Sequence, residues 1–219
     1  MKSGDVVLIS YTARIKETGE VFDTTSEEVA KKAGIFDPKI VYQPIPVIIG
    51  SRSILPGVEE IILGMKVGEE KKFTLPPEKA FGKRLESLVR LIPLSEFKKQ
   101  NIEPYPGLVI TINNFNGRVV SVSGGRVKVD FNHPLAGKEI EYELKVEKKI
   151  ETVEEKIKII SSYHLGLRNE DLGVKVSGKT AEIEIKKRIE TSARVKQSIA
   201  EMLKQWIKGI EKVKFVEVF

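Results

Sequence analysis

Apolar and polar positions alternate, with some interruption, along residues 5–15, DVVLISYTARI, and this predicts a strand. Glu17-Thr18-Gly19-Glu20 reads as a turn, after which Val21-Phe22-Asp23-Thr24-Thr25 resumes extended backbone. A short helix fits within SEEVAKKAG, where Ser26 can cap the first turn and Gly34 can stop the last. Ile45 to Ile49 is apolar apart from Pro46, and a residue without an N–H restricts that strand to an edge or a bulge. Pro56 suits the first turn of a helix running through Ile62, with Gly64 ending it. Lys71 to Leu75 is a further strand, and Pro76 to Gly82 is a loop.

The segment from 87 to 132 has its own character. Leu88 to Ile92 is apolar, and Pro93 to Phe97 begins a helical turn. Three β-rich runs follow: Leu108 to Ile112, Gly117 to Val122 and Arg126 to Phe131. Asn-rich and Gly-Gly turns separate them, so a small antiparallel unit is expected. After the loop Asn132 to Gly137, Ile140, Tyr142, Leu144 and Val146 share one face of another strand.

Residues 151–219 read as a separate unit of order α-β-β-α-β. Val153, Ile157 and Ile160 form one helical stripe; Val195, Ile199, Met202, Leu203 and Trp206 form another. Between them lies a hairpin around Ser177-Gly178-Lys179, and Val213 to Val218 is the last strand. So small a unit buries limited apolar surface alone. Docking or self-association is expected of it, through the Val195–Trp206 helix or the Val213–Val218 edge. The chain as a whole is therefore assigned to the α+β class.

Composition narrows the chemistry. The 219 residues contain no cysteine and two histidines, His133 and His164, which leaves no thiol and little for a zinc site or a histidine triad. No metal and no cofactor are expected. No phosphate-cradling glycine loop follows a strand, and there is no GxSxG turn. The net charge of +6 is divided between residues 87–132 and 151–219 rather than gathered in one stripe, so ribosome or RNA association is a minor expectation. No run is long and apolar enough to span a membrane, and a cytoplasmic protein is expected. Glu139, Glu141 and Glu143 alternate with apolar residues and read as a solvated face.

One set of motifs is more specific. Val21-Phe22-Asp23-Thr24-Thr25, Ile48-Ile49-Gly50 with Ile54-Leu55-Pro56-Gly57-Val58-Glu59, Ala80-Phe81-Gly82, and Phe131-Asn132-His133-Pro134-Leu135-Ala136-Gly137-Lys138 occur in this order. Together they resemble the FKBP family of peptidyl-prolyl isomerases. The last motif is similar to the SlyD-type subfamily, in which a chaperone insert replaces the flap, and the added C-terminal unit resembles the long archaeal members. The resemblance implies an isomerase domain from residues 1–86 and 133–150, a curved antiparallel sheet wrapping one short helix. Residues 87–132 become the insert-in-flap domain, and residues 151–219 a C-terminal α+β domain that supports a homodimer.

Carried over by position, the resemblance implies a pocket of Tyr11, Phe22, Asp23, Ile54, Leu55, Val58, Phe81 and Tyr142. Ile45, Leu135 and Ala136 contribute to substrate binding. Leu88, Val89, Leu91, Ile92, Leu108 and Ile110 of the insert would meet unfolded or partly folded polypeptides. Val58 stands where eukaryotic members often carry Trp, and Ile45 replaces an aromatic wall. The expected function is X-Pro isomerisation coupled to chaperone capture; the alternative is a non-catalytic holdase on the same scaffold. His133 is expected to organise its own turn, and His164 to end a helix, where a cation is favoured.

Overall fold

The computed structural model describes residues 1–112 and 114–218. Strand β1 (Val6–Ile15) is followed by β2 (Val21–Thr24), helix α1 (Glu27–Lys32), β3 (Ile45–Ile48), helix α2 (Pro56–Leu63) and β4 (Glu70–Leu75). The local signals act as their chemistry dictates. The Ser26 hydroxyl accepts from the Val29 N–H at the head of α1. Pro56 opens α2, where its missing N–H costs nothing, and Gly64 closes it. Strand β3, which carries Pro46, pairs only with β1, so it lies at a sheet margin as a proline requires.

The middle of the chain supplies β5 (Val89–Pro93), α3 (Leu94–Lys99), β6 (Val109–Ile112), β7 (Phe115–Ser123) and β8 (Arg126–Asp130). The remainder forms β9 (Ile140–Ile150), α4 (Val153–Leu165), β10 (Leu172–Ser177), β11 (Thr180–Ile185), α5 (Ala193–Trp206) and β12 (Lys212–Glu217). The α-β-β-α-β order holds, and β11 and β12 run parallel, joined by the α5 crossover. All other strand pairs are antiparallel.

Contacts divide the chain into two compact units, residues 1–75 with 139–219, and residues 76–138. In the first, β1 and β9 pair along their length, with β2 and β3 on the far side of β1 and β4 on the far side of β9. One apolar core joins this sheet to the C-terminal elements. Val6, Ile48 and Ile150 share it with Ile157, Ile160, Leu172, Ile183, Ile199 and Leu203. The β1–β9 register shifts between Leu8 and Ile9: Leu8 faces Lys148 while Ile9 faces Val146, so Glu147 is an extra residue. That bulge rotates the strand end, and β9 runs to Ile150 rather than stopping at Val146.

The apolar face of α5 that was a candidate for self-association is used within the chain. Ile199 and Leu203 are buried in the shared core, with Val195, Met202 and Trp206 packed against it. Of the two surfaces considered, the outer edge of β12 is the one left without a neighbouring strand among the described residues.

The second unit is a four-stranded sheet in the order β5-β8-β7-β6. Its core is Phe97, Ile110, Val119, Val127 and Val129. Asn132 braces its base: its side chain accepts from the Leu85 N–H and donates to the Leu85 carbonyl, each at 2.9 Å. Asp130 accepts from Asn132 and from Arg84, whose Nη2 lies 2.6 Å away. Burial opposes ionisation of Asp130, but the Asn132 amide and Arg84 outweigh it, holding the carboxyl below its ordinary value.

Candidate active site

The first unit brings several of the expected residues together on one sheet face. The β1–β2 register sets Ala13 opposite Asp23. Tyr11, two residues earlier on β1, is thereby diagonal to Asp23, and its hydroxyl donates to Asp23 Oδ2 at 2.7 Å. The backbone under this pair is pinned. Thr25 Oγ1 accepts from the Tyr11 N–H at 2.9 Å, and the Tyr11 carbonyl accepts from the Thr25 N–H at 3.0 Å. Thr12 and Thr24 share a buried hydroxyl contact at 2.9 Å.

Tyr142 faces Ala13 on β1 and Phe73 on β4. Its ring lies 5.8 Å from that of Tyr11 and stacks on Phe73 at 5.7 Å, an aromatic row running across three strands. Burial first, and the Asp23 carboxylate second, push the Tyr11 and Tyr142 phenols above the ordinary tyrosine range. Both hydroxyls therefore remain protonated donors through neutral pH.

The other face of β9 is charged. Arg14 lies 3.2 Å from Glu143, and Lys72 lies 2.9 Å from Glu141. Glu139 meets Lys16 at 2.9 Å. These acidic residues form the expected solvated face, paired across strands but contributing little each.

Ile54 and Leu55 lead into α2. Leu55 is the residue before its first turn, and its carbonyl accepts from the Val58 N–H at 3.0 Å. Its own N–H makes no hydrogen bond to the described residues. Val58 is buried on the inner side of α2, while Phe22, Ile45, Ile54 and Leu55 are half-buried. Ile45 and Ile54 also line a cleft of about 460 Å³ whose other side comes from α4 and α5.

The remaining expected residues fall in the second unit. Phe81 stacks on His133 with ring centres 4.7 Å apart and planes inclined by 3°. His133 Nδ1 accepts from the Leu135 N–H at 3.1 Å, so it organises its own turn. Leu135 is half-buried and Ala136 buried. In the sheet of this unit Leu91 is 62% exposed, whereas Ile110 belongs to the core. Leu88, Val89, Ile92 and Leu108 are half-buried. Ile92, Leu108 and Ile110 line a groove of about 350 Å³ along the β6 edge.

Two aromatic neighbours escaped the sequence reading. Phe73 had a signal, its alternation with Leu75 on a strand. Tyr163, at the end of α4, had none, because only tertiary packing brings it near Asp23. His164 lies in the last turn of α4 as expected, but burial pushes its imidazole below its ordinary value, against the cation expected at that helix end. Among the described residues, no group of three or more His, Asp and Glu is arranged to hold a metal ion. No helix among them is long and apolar enough to cross a membrane.

The geometry is a hydrogen-bonded tyrosine–aspartate pair beside a row of three aromatic rings. The chain is 41% identical over 146 residues to a short-type peptidyl-prolyl cis–trans isomerase of Methanocaldococcus jannaschii, covering 67% of this chain and 92% of the relative. It is 28% identical over 151 residues to the FKBP-type 16 kDa peptidyl-prolyl cis–trans isomerase of Escherichia coli K12, covering 67% and 91%. A SlyD isomerase of Helicobacter pylori is 31% identical over 135 residues, covering 59% and 71%. The family model described as FKBP26, IF domain matches residues 90–135. The chain belongs to the FKBP-type peptidyl-prolyl cis–trans isomerase family.

Proposed function

We propose that the protein isomerises X-Pro bonds in unfolded or partly folded polypeptides and captures those chains through its insert. The chemistry requires no nucleophile. Rotation about the peptide bond faces a barrier of about 18–20 kcal/mol because amide resonance must be broken. A twisted amide has lost part of its carbonyl charge, so it is less polar than the planar form. An apolar site binds the twisted form better, and that difference lowers the barrier. Phe22, Val58 and Tyr142 receive the proline ring. The Leu55 N–H donates to a client carbonyl, and the Tyr11–Asp23 pair orients the amide.

The observation that carries this reading is the Tyr11–Asp23 hydrogen bond set against the Tyr142 ring, where fixed polar groups stand beside an apolar surface. The capture half is supported by the exposed aliphatic and aromatic residues of the insert, Leu91, Val109 and Phe115, and by its open β6 edge. Binding there raises the local concentration of X-Pro bonds at the isomerase site. The β12 edge is the surface through which two copies pair.

The test compares turnover of a prolyl tetrapeptide with proline-limited refolding of a slow-folding protein. The intact chain accelerates both. A V109D/F115S variant loses most of the refolding rate relative to its own tetrapeptide rate. If the intact chain suppresses aggregation but does not isomerise the tetrapeptide, the protein is a holdase and the catalytic assignment fails.

A further inference from the structure

The cleft between the start of α2 and the C-terminal helices has no part in the chemistry described so far. Its volume of about 460 Å³ falls in the range of pockets that bind small ligands and peptide side chains. Ile45 and Ile54 form one wall; Ile160, Tyr163, Met202 and Trp206 form the other. Ser198, Glu201 and Gln205 on the outer turns of α5 edge the opening. All of these residues belong to the first compact unit.

We propose that this cleft is a subsite of the isomerase site, holding an extended segment of the client chain beside its X-Pro bond with an apolar side chain against Ile54, Met202 and Trp206. The proposal rests on the isomerase reading and adds a substrate preference to it. Continuity is the first argument: Ile45 and Ile54 belong both to the expected proline site and to the cleft wall. A client held at one is led into the other. The second argument is chemical. An extended peptide presents side chains and backbone amides in alternation. The cleft has an apolar interior with hydroxyl, amide and carboxylate groups at its edge, which suits one side chain pointing in and backbone groups pointing out. Tyr163 ties the two regions electrostatically: burial, and then the Asp23 carboxylate, raise its phenol above the ordinary range. Glu201 at the edge favours neutral or basic residues in the client over acidic ones.

Trp206 is the only tryptophan in the chain, so it reports the cleft directly. The experiment uses the full chain with two tryptophan-free substrates, a prolyl tetrapeptide and a twelve-residue peptide with the same X-Pro bond flanked by leucines. The longer peptide is expected to have a kcat/KM about tenfold higher, as partial burial of one leucine side chain predicts. Its binding shifts Trp206 emission saturably. Ser198→Tyr, at an exposed position on α5, fills the cleft and brings the ratio of the two kcat/KM values towards one. Glu201→Lys reverses the preference between long peptides with lysine and with glutamate flanks. A ratio of one in the unaltered protein, or a ratio that S198Y leaves in place, overturns the subsite. Failure to turn over either peptide removes the isomerase reading itself, and the subsite with it.

Discussion

The Tyr11 hydroxyl donates to Asp23 Oδ2 at 2.7 Å across the β1–β2 ladder, and the Asp23 carboxylate is left on the exposed side of that bond. One partner is fixed by packing against Tyr142, and the other reaches solvent. In the proposed isomerase site, a client amide would meet a carboxylate whose direction is already set.

Tyr11→Phe removes the donor and leaves the ring in place. Its kcat/KM on a prolyl tetrapeptide is expected to fall by about tenfold, the cost of losing one charge-assisted hydrogen bond in the bound state. Asp23→Ala falls by a similar factor or more. Because the two side chains act as a pair, the double variant loses less than the product of the single losses. Strict additivity would show that they act independently.

The pH response of this site is set by its phenols. Tyr11 and Tyr142 are held above the usual tyrosine value of about 10. Above that pH the unfolded chain releases phenolic protons that the folded chain retains. The stability from this source is complete below about pH 10 and is lost as pH rises further. Absorbance titration of the folded protein is expected to show three late-ionising tyrosines, Tyr163 being the third, with isomerase activity flat between pH 7 and about pH 9. A loss of activity in that interval following a tyrosine titration would contradict the assignment.

In the second unit, Asn132→Ala removes both bonds to Leu85 and leaves that backbone segment unbraced. The expected loss is about 1–3 kcal/mol in the unfolding of that unit, seen as faster amide exchange over residues 84–88. Asp130 adds an acid dependence. Its lowered carboxyl stabilises the fold above the usual carboxylate range, and that contribution disappears as pH falls through the folded value. Asp130→Asn is expected to flatten the stability curve between pH 5 and pH 2 in thermal melts.

Gly50 occupies φ +93, and a Cβ there would stand 2.6 Å from Ser3 Oγ and 3.5 Å from the Trp206 ring. Ser3 can swing away, so backbone strain carries the cost. Gly50→Ala is expected to destabilise the first unit by about 1–3 kcal/mol, measured by denaturant unfolding followed through Trp206. An unchanged midpoint would mean that the turn relaxes without strain.

Local chemistry was legible where one or two residues decide the outcome. The Ser26 cap, the proline start of α2, and the marginal position of β3 follow from side-chain acceptors and missing N–H groups alone. The Tyr11, Asp23 and Tyr142 grouping was reachable through motif order, because cross-strand neighbours are fixed by register. What the chain did not disclose lies in tertiary packing. The apolar stripe of α5 was plain, yet nothing local says whether it meets a second copy or the chain's own Val6, Ile48 and Ile150. The bulge at Glu147, which extends β9 and turns Ile150 into that core, depends on pairing between residues far apart in sequence. Tyr163 reaches the Asp23 region for the same reason.

The β4–β9 ladder pairs Leu75 with Ile140, so the chain departs for the second unit and returns from it at neighbouring rungs. Paired residues of an antiparallel ladder have Cα atoms only about 4.5–5.5 Å apart. The whole excursion thus occupies the place of a tight hairpin turn, and the sheet bears the same closure whether that turn holds two residues or more than sixty. The second unit, residues 76–138, is in this sense a cassette, and it carries Phe81, Leu135 and Ala136 with it: its size can change without re-registering the strands that hold it.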